Sequence, residues 1–154
     1  MASDARLIDI SPPVSPRLGV WPGDVPYTRD VSLSTDAGDP MTLSAIRATV
    51  HLGAHADAPN HYAAGAPGIG ARPLDLYYGP CQVMHVAVAR GGRVLPADLP
   101  APITAPRVLL CTGTFPDPDA WNEDFAALSP ALIDHLHRCG VRLVGIDTPS
   151  IDPQ

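Results

Sequence analysis

Residues 129–146 read SPALIDHLHRCGVRLVGI, and an earlier apolar run, residues 107–111, reads RVLLC. Ser129 followed by Pro130 is typical of a helix start, because serine caps the first turn and proline suits the first helical position. Gly140 predicts the end of that helix. The apolar runs on either side have the length of buried strands. A strand that returns through a helix favours parallel pairing, so the sequence predicts an α/β fold.

Three further segments predict strands, and proline-rich loops separate them. Residues 7–10 form a short apolar run that a serine and two prolines stop. Residues 41–52 alternate and contain β-branched side chains, as a half-buried strand does. Residues 81–89 are apolar enough for a well-buried strand. Residues 11–26 hold five prolines and predict a rigid extended loop around residues 21–24, WPGD.

The composition excludes several classes of chemistry. The 154 residues contain ten arginines and no lysine, which rules out a lysine Schiff base and a P-loop lysine. A net charge of −6 with scattered arginines argues against nucleic acid as a partner. Three widely spaced cysteines predict neither a disulfide framework nor a thiolate zinc site. The length fits one domain over residues 1–154.

Location follows from the apolar segments. The amino-terminal residues lack the charged region and long apolar core of a signal peptide. No apolar run approaches the roughly 18 residues that span a bilayer. We therefore expect a cytoplasmic protein with no membrane partner.

Residues 51–61 read HLGAHADAPNH and place three of the six histidines close to an aspartate. Imidazole nitrogen and carboxylate oxygen are the ligands that zinc and manganese favour. The spacing of His51, His55 and Asp57 lets a strand end and the following turn present three ligands to one ion. Gly53 permits a sharp turn between the two imidazoles. Three protein ligands leave a position open for water, so the pattern predicts a catalytic metal site.

Three other residues each have two alternative roles. His61 is either a fourth ligand or a general acid and base beside the metal, and its separation from Asp57 across Pro59 favours the second role. Trp21 is either a core anchor or a flat wall for an aromatic substrate. Asp147 follows the last strand and either acts in the site or caps the next turn.

The eleven-residue motif resembles the signature of the cyclase-like metal-dependent hydrolases, and within that family the chain as a whole looks most like the bacterial kynurenine formamidases. The supporting stretches are residues 8–12 (IDISP), 20–24 (VWPGD), 73–75 (PLD), 78–81 (YGPC) and 144–150 (VGIDTPS). The resemblance implies a swivelling β/β/α fold of the α/β class, assembled as a homodimer. It also implies hydrolysis of a small aromatic formamide, N-formyl-L-kynurenine, to L-kynurenine and formate.

The resemblance also implies roles for the motif residues. His51, His55 and Asp57 would bind the first of two zinc ions, and Asp57 would bridge to the second. Manganese is the alternative ion, since the same ligand types accept it. His61 would donate and accept the proton, and Trp21 would contact the aromatic ring of the substrate.

Members of this family continue past the position of residue 154 and supply a further histidine and glutamate to the metals. Glu123, the one glutamate here, lies in a different context. We therefore expect the chain to be incomplete at its carboxyl end and to lack part of the two-metal site. Two alternative functions remain: a metal hydrolase acting on another amide or a cyclic substrate such as isatin or a cyclic imide, and an inactive, truncated metal-binding domain.

Overall fold

The computed structural model describes residues 8–154. The strands and the α-helix, in chain order, are β1 (Thr28–Leu33), β2 (Leu43–Arg47), β3 (Gln82–His85), β4 (Arg93–Val94), β5 (Arg107–Cys111), β6 (Ala127–Leu128), α1 (Pro130–Arg138) and β7 (Leu143–Ile146). Short 3₁₀ helices cover Thr35–Ala37, Pro59–His61, Ile69–Ala71, Leu74–Leu76 and Pro96–Asp98. Within this part of the chain, no helix is both long and apolar enough to cross a membrane.

The chain folds as two compact units. The described residues up to 56, with residues 118–120, form the first unit. Its strands β1 and β2 pair antiparallel, with Thr28 opposite Arg47 and Asp30 opposite Ala45. The amide of Gly19 donates to the Pro118 carbonyl at 2.8 Å, which joins residues 118–120 to this unit.

The second unit, residues 57–117 and 121–154, is built on a parallel sheet. Its three strands lie in the order β3-β5-β7, and β4 and β6 form a separate parallel pair. Arg107 lies opposite Leu143, and Leu110 lies opposite Ile146. The chain passes from β5 to β7 through α1, so the predicted strand–helix–strand arrangement with parallel pairing is confirmed.

The core of the second unit lies between α1 and one face of the parallel sheet. It comprises Met84, Val86, Val94, Val108, Leu110, Leu128, Leu132 and Leu136. The two helix leucines are four residues apart and therefore share one face of α1. The Ser129 hydroxyl accepts the Leu132 amide at 3.1 Å, Pro130 begins the helix, and Gly140 has a left-handed φ of 80° just beyond it. The predicted helix boundaries are confirmed.

Arg107, at the start of β5, is a buried cation that is 6% exposed. Its guanidinium donates to the backbone carbonyls of Leu76 at 2.8 Å and Pro80 at 3.5 Å, and also to that of Asp75. Arginine suits this position because its fixed fork of donors can reach several carbonyls together. The side chain thereby ties the turn around residues 74–80 to the sheet.

Some predicted strands differ from the observed ones. No strand forms at residues 8–10, where the Asp9 carboxylate accepts the Ser11 amide at 3.0 Å, a local bond that competes with pairing; residue 7 lies outside the described residues. The strand predicted over residues 41–52 covers only Leu43–Arg47, because the Thr49 amide donates to the Val25 carbonyl instead. Strand β1 was not predicted from the sequence.

Candidate metal centre

The predicted ligands lie on the loop that follows β2. The chain turns at His51 and again at the 3₁₀ helix Pro59–His61. Ala58, which precedes that helix, is buried, and its carbonyl accepts the His61 amide at 2.9 Å. The backbone between Asp57 and His61 is therefore fixed by local hydrogen bonds.

Three side chains of this loop bring metal-ligating atoms together. A ring nitrogen of His51, a carboxylate oxygen of Asp57 and a ring nitrogen of His61 all lie within 4.8 Å of one another. Two ligands of one zinc ion are separated by at most about 4 Å, because each bond is about 2 Å long. Small side-chain rotations therefore suffice for convergence. The donor set of two imidazoles and a carboxylate fits zinc or manganese.

His55 lies beside this cluster but does not belong to it. Its ring centroid is 5.1 Å from that of His51, in an edge-to-face arrangement. Its Nδ1 lies 2.8 Å from the Gly53 carbonyl oxygen. A carbonyl can only accept, so Nδ1 carries the hydrogen and Nε2 is the nitrogen suited to a metal. Histidines that bind metals commonly make this kind of bond with their other nitrogen.

Gly53 provides the turn between the two imidazoles. Its φ is 59°, in the left-handed region that favours glycine. A Cβ at this position would come within 3.0 Å of a methyl group of Leu18, which is itself buried. The sequence prediction of a sharp turn at Gly53 is confirmed.

Asp24 and Thr49 position the start of the loop. Neither residue was predicted from the sequence to do so. The Thr49 hydroxyl donates to the Asp24 carboxylate at 2.5 Å and accepts the His51 amide at 3.2 Å. The hydrogen bond from Thr49, then the one from the Val25 amide, lowers the pKa of Asp24, and the charge of His51 acts in the same direction. Asp24 is the last residue of the WPGD stretch, so the sequence indicated this stretch but not the role of Asp24.

Trp21 begins the same WPGD stretch. Its carbonyl accepts the Asp24 amide at 2.9 Å, which closes a tight turn. The residue is 39% exposed, so it is not a core anchor. The WPGD turn therefore carries an indole at the surface of the first unit.

Asp147 links the carboxyl ends of β5 and β7 in the second unit. Its carboxylate accepts the amides of Thr112 at 2.9 Å and Gly113 at 2.8 Å, and the Thr112 hydroxyl at 2.7 Å. Desolvation raises the pKa of Asp147, but these hydrogen bonds outweigh it and the net pKa is lowered. Burial, followed by the contact with Asp147, raises the pKa of the Cys111 thiol. Asp147 therefore fixes the turn after β5.

A cavity of about 340 Å³ opens at the carboxyl ends of β3 and β5. It is lined by His85, Val86, Ala87, Cys111, Thr112 and Gly113. Ligands of open α/β sheets bind at such strand ends. This cavity was not predicted from the sequence.

Sequence comparison defines the class of protein. The model of the Cyclase family, described as “Putative cyclase”, matches residues 8–153, and the chain belongs to this family. A protein of Bordetella petrii called kynurenine formamidase is 49% identical over 150 residues. The matched region covers 96% of this chain and 71% of that protein.

Two solved structures share the fold. A “potential metal-dependent hydrolase with cyclase activity” superposes with a TM-score of 0.77 at 24% identity, over 94% of this chain and 69% of the other. A “predicted metal-dependent hydrolase” from Bacillus stearothermophilus gives a TM-score of 0.73 at 24% identity, over 94% and 70%. The prediction of an α/β, cyclase-like fold is confirmed.

Proposed function

We propose that this protein is a metal-dependent amidohydrolase that converts N-formyl-L-kynurenine and water to L-kynurenine and formate. The observation that carries the proposal is the 49% identity, over 96% of the chain, to a protein called kynurenine formamidase. The convergence of His51, Asp57 and His61 supports it, since amide hydrolysis by a metal enzyme requires such a donor set.

We propose that His51, His55 and Asp57 would hold a zinc ion, and that Asp57 would also help to hold a second ion. Imidazole and carboxylate donors accept manganese as well. When bound, the ion supplies Lewis acidity, which polarises a carbonyl group and lowers the pKa of water. The hydrogen bond from His55 Nδ1 to the Gly53 carbonyl supports the role of His55, because it orients Nε2 for ligation.

His61 is the proposed general acid and base. Hydrolysis breaks the bond between the formyl carbon and the aniline nitrogen, adds the oxygen of water to the carbon and delivers a proton to the nitrogen. An imidazole can accept the proton from water and pass it to the leaving nitrogen. The position of a His61 ring nitrogen within 4.8 Å of ligand atoms of His51 and Asp57 supports this role.

Trp21 is the proposed contact for the aromatic ring of the substrate. Its side chain is partly exposed and lies on the turn that Asp24 closes. Aromatic rings pair with one another in stacked or edge-to-face arrangements, so an indole wall selects an aryl formamide over an aliphatic one.

The test is turnover by the zinc-loaded chain. We expect release of formate and kynurenine from N-formyl-L-kynurenine, loss of turnover after chelation, and restoration by zinc. His137→Ala, on α1, is a matched control that removes a histidine and keeps full activity. Preferential turnover of isatin would instead assign the chain to another substrate within the family. Metal binding without turnover of either compound would contradict the proposed activity.

A single domain over residues 1–154, a homodimer and a cytoplasmic location complete the proposal. The homodimer is checked by light scattering of the purified chain, where a mass of about 16 kDa, that of one copy, would contradict it.

A further inference from the structure

A pair of metal-ligating side chains lies at the carboxyl end of α1, apart from the residues of the loop. His135 and Cys139 are four residues apart, and the Cys139 sulfur lies 3.7 Å from Nε2 of His135. Side chains at this spacing share one face of a helix. Cys139 is exposed and His135 is partly exposed, so an ion from solvent can reach both.

The spacing of the pair fits a tetrahedral ion. Zinc–sulfur bonds of about 2.3 Å and zinc–nitrogen bonds of 2.0–2.1 Å place the two ligand atoms about 3.6 Å apart at a tetrahedral angle. The observed 3.7 Å therefore requires almost no movement. The backbone is also fixed, since the Cys139 amide donates to the His135 carbonyl at 3.0 Å. The carboxyl end of a helix further favours positive charge.

We propose that His135 and Cys139 together bind one divalent ion of borderline or soft character, such as zinc or cadmium. The thiol gives up its proton to solvent, and the thiolate sulfur and imidazole Nε2 each donate an electron pair. Water completes the coordination, and no atom is oxidised or reduced.

The other two cysteines provide an internal contrast. Cys81 is exposed, and its thiol donates to the backbone carbonyl of Gln82 at 3.9 Å. Cys111 is half-buried beside Asp147. His137 shares the helix with His135 but is two residues away, so the two imidazoles diverge.

Cobalt titration of the reduced full chain tests the proposal. A thiolate bound to cobalt gives a sulfur-to-metal charge-transfer band in the near ultraviolet, whereas the loop of His51, Asp57 and His61 contains no sulfur. We expect the band in the wild type and its loss in Cys139→Ser. We expect at least about tenfold weaker binding in His135→Ala, as for the loss of a metal-supporting group.

Cys81→Ser and His137→Ala are the matched controls, and both should titrate as the wild type does. Circular dichroism of each variant establishes that α1 remains folded. Wild-type affinity in His135→Ala would show that the thiol binds without the imidazole, and would overturn the proposal. Loss of the band in Cys81→Ser would also overturn it.

Discussion

Alanine variants of His55 and His61 distinguish metal ligation from proton transfer, because each variant removes one imidazole from the same loop. We expect His61→Ala to retain zinc and to lose at least about 10²-fold in kcat, as for removal of a general acid and base. We expect His55→Ala to lower zinc affinity at least about tenfold. Metal content and formate release, measured on the same samples, distinguish the two effects. Loss of zinc in His61→Ala would instead make His61 a fourth metal ligand.

Thr49 is the residue through which Asp24 positions His51. Replacement by valine keeps the shape but removes the donor to Asp24 and the acceptor for the His51 amide. We expect Thr49→Val to bind zinc about tenfold more weakly and to unfold at a lower temperature. The measurements are a zinc titration and a thermal melt.

Thr35→Val is the control for that variant. The hydroxyl of Thr35 forms a hydrogen bond of 3.1 Å with the exposed hydroxyl of Thr42, in the same unit. Wild-type zinc affinity in Thr49→Val would contradict a positioning role for the Asp24–Thr49 contact.

Single residues of the loop could be predicted because the motif is local in sequence. The spacing within residues 51–61 indicated a shared metal site, and the left-handed turn at Gly53 followed from the same run. The link from Asp24 to Thr49 could not be predicted, because it joins residues 25 positions apart. Local spacing also could not show that His61, rather than His55, joins His51 and Asp57 in one group of ligand atoms.

The loop after β2, considered as an element, depends on the conformation of Gly53. Gly53→Ala places a Cβ in a left-handed residue, which costs about 1–2 kcal/mol, and also against Leu18. We expect lower stability together with weaker zinc binding, because the two histidines flank this residue.

Gly38→Ala is the matched control. Gly38 has a φ of 91°, and an added Cβ would meet nothing within 4 Å. This variant should lose stability and keep its zinc affinity, as measured by urea unfolding and zinc titration. Equal zinc affinity in the two variants would refute a geometric role for Gly53.

Elements whose ends are marked by capping or chain-breaking residues were predicted well. Ser129, Pro130 and Gly140 mark both ends of α1, and the apolar run of β5 matches the observed strand at both ends. By contrast, β1 reads TRDVSL, and its polar side chains gave no apolar alternation to detect. The prediction of a strand at residues 8–10 was wrong for the opposite reason, because an apolar run alone does not supply a pairing partner.

The pH dependence of unfolding belongs to the whole molecule. Asp147 has a lowered pKa, and the hydrogen bond from Arg90 lowers the pKa of Asp124 to about 2. A carboxylate with a lowered native pKa stabilises the fold above its unfolded pKa, near 4. That contribution is lost as the pH falls through the native value. We therefore expect stability to decline from about pH 4 towards pH 2.

Asp147→Asn tests that decline. We expect this variant to be less stable than the wild type by about 1 kcal/mol at pH 7, because the hydrogen bonds of the wild-type carboxylate lie close to solvent. We also expect its stability to decline less steeply in acid. Asp134→Asn, on the exposed side of α1, is the control. Urea unfolding from pH 7 to pH 2 measures both, and an unchanged acid slope in Asp147→Asn would contradict this assignment.

At the scale of the whole molecule, the α/β class and the parallel pairing around α1 were predictable from the order of the elements. The division into two units was not, because residues 118–120 join the first unit from a distant part of the chain. The pairing of β4 with β6 also escaped prediction, since strands of two residues leave no periodic pattern.

The buried guanidinium of Arg107 has a consequence for the order of folding. Its acceptors on Asp75, Leu76 and Pro80 lie 32, 31 and 27 residues away along the chain, so closing this contact is entropically costly. The turn at residues 74–80 is held by Arg107 and by the ion pair between Arg142 and Asp75 at 3.0 Å, so its anchoring requires β5 and the segment before β7 to be in place. We expect this turn to dock late on the folding pathway, and its amides to exchange with solvent before those of the sheet beneath it.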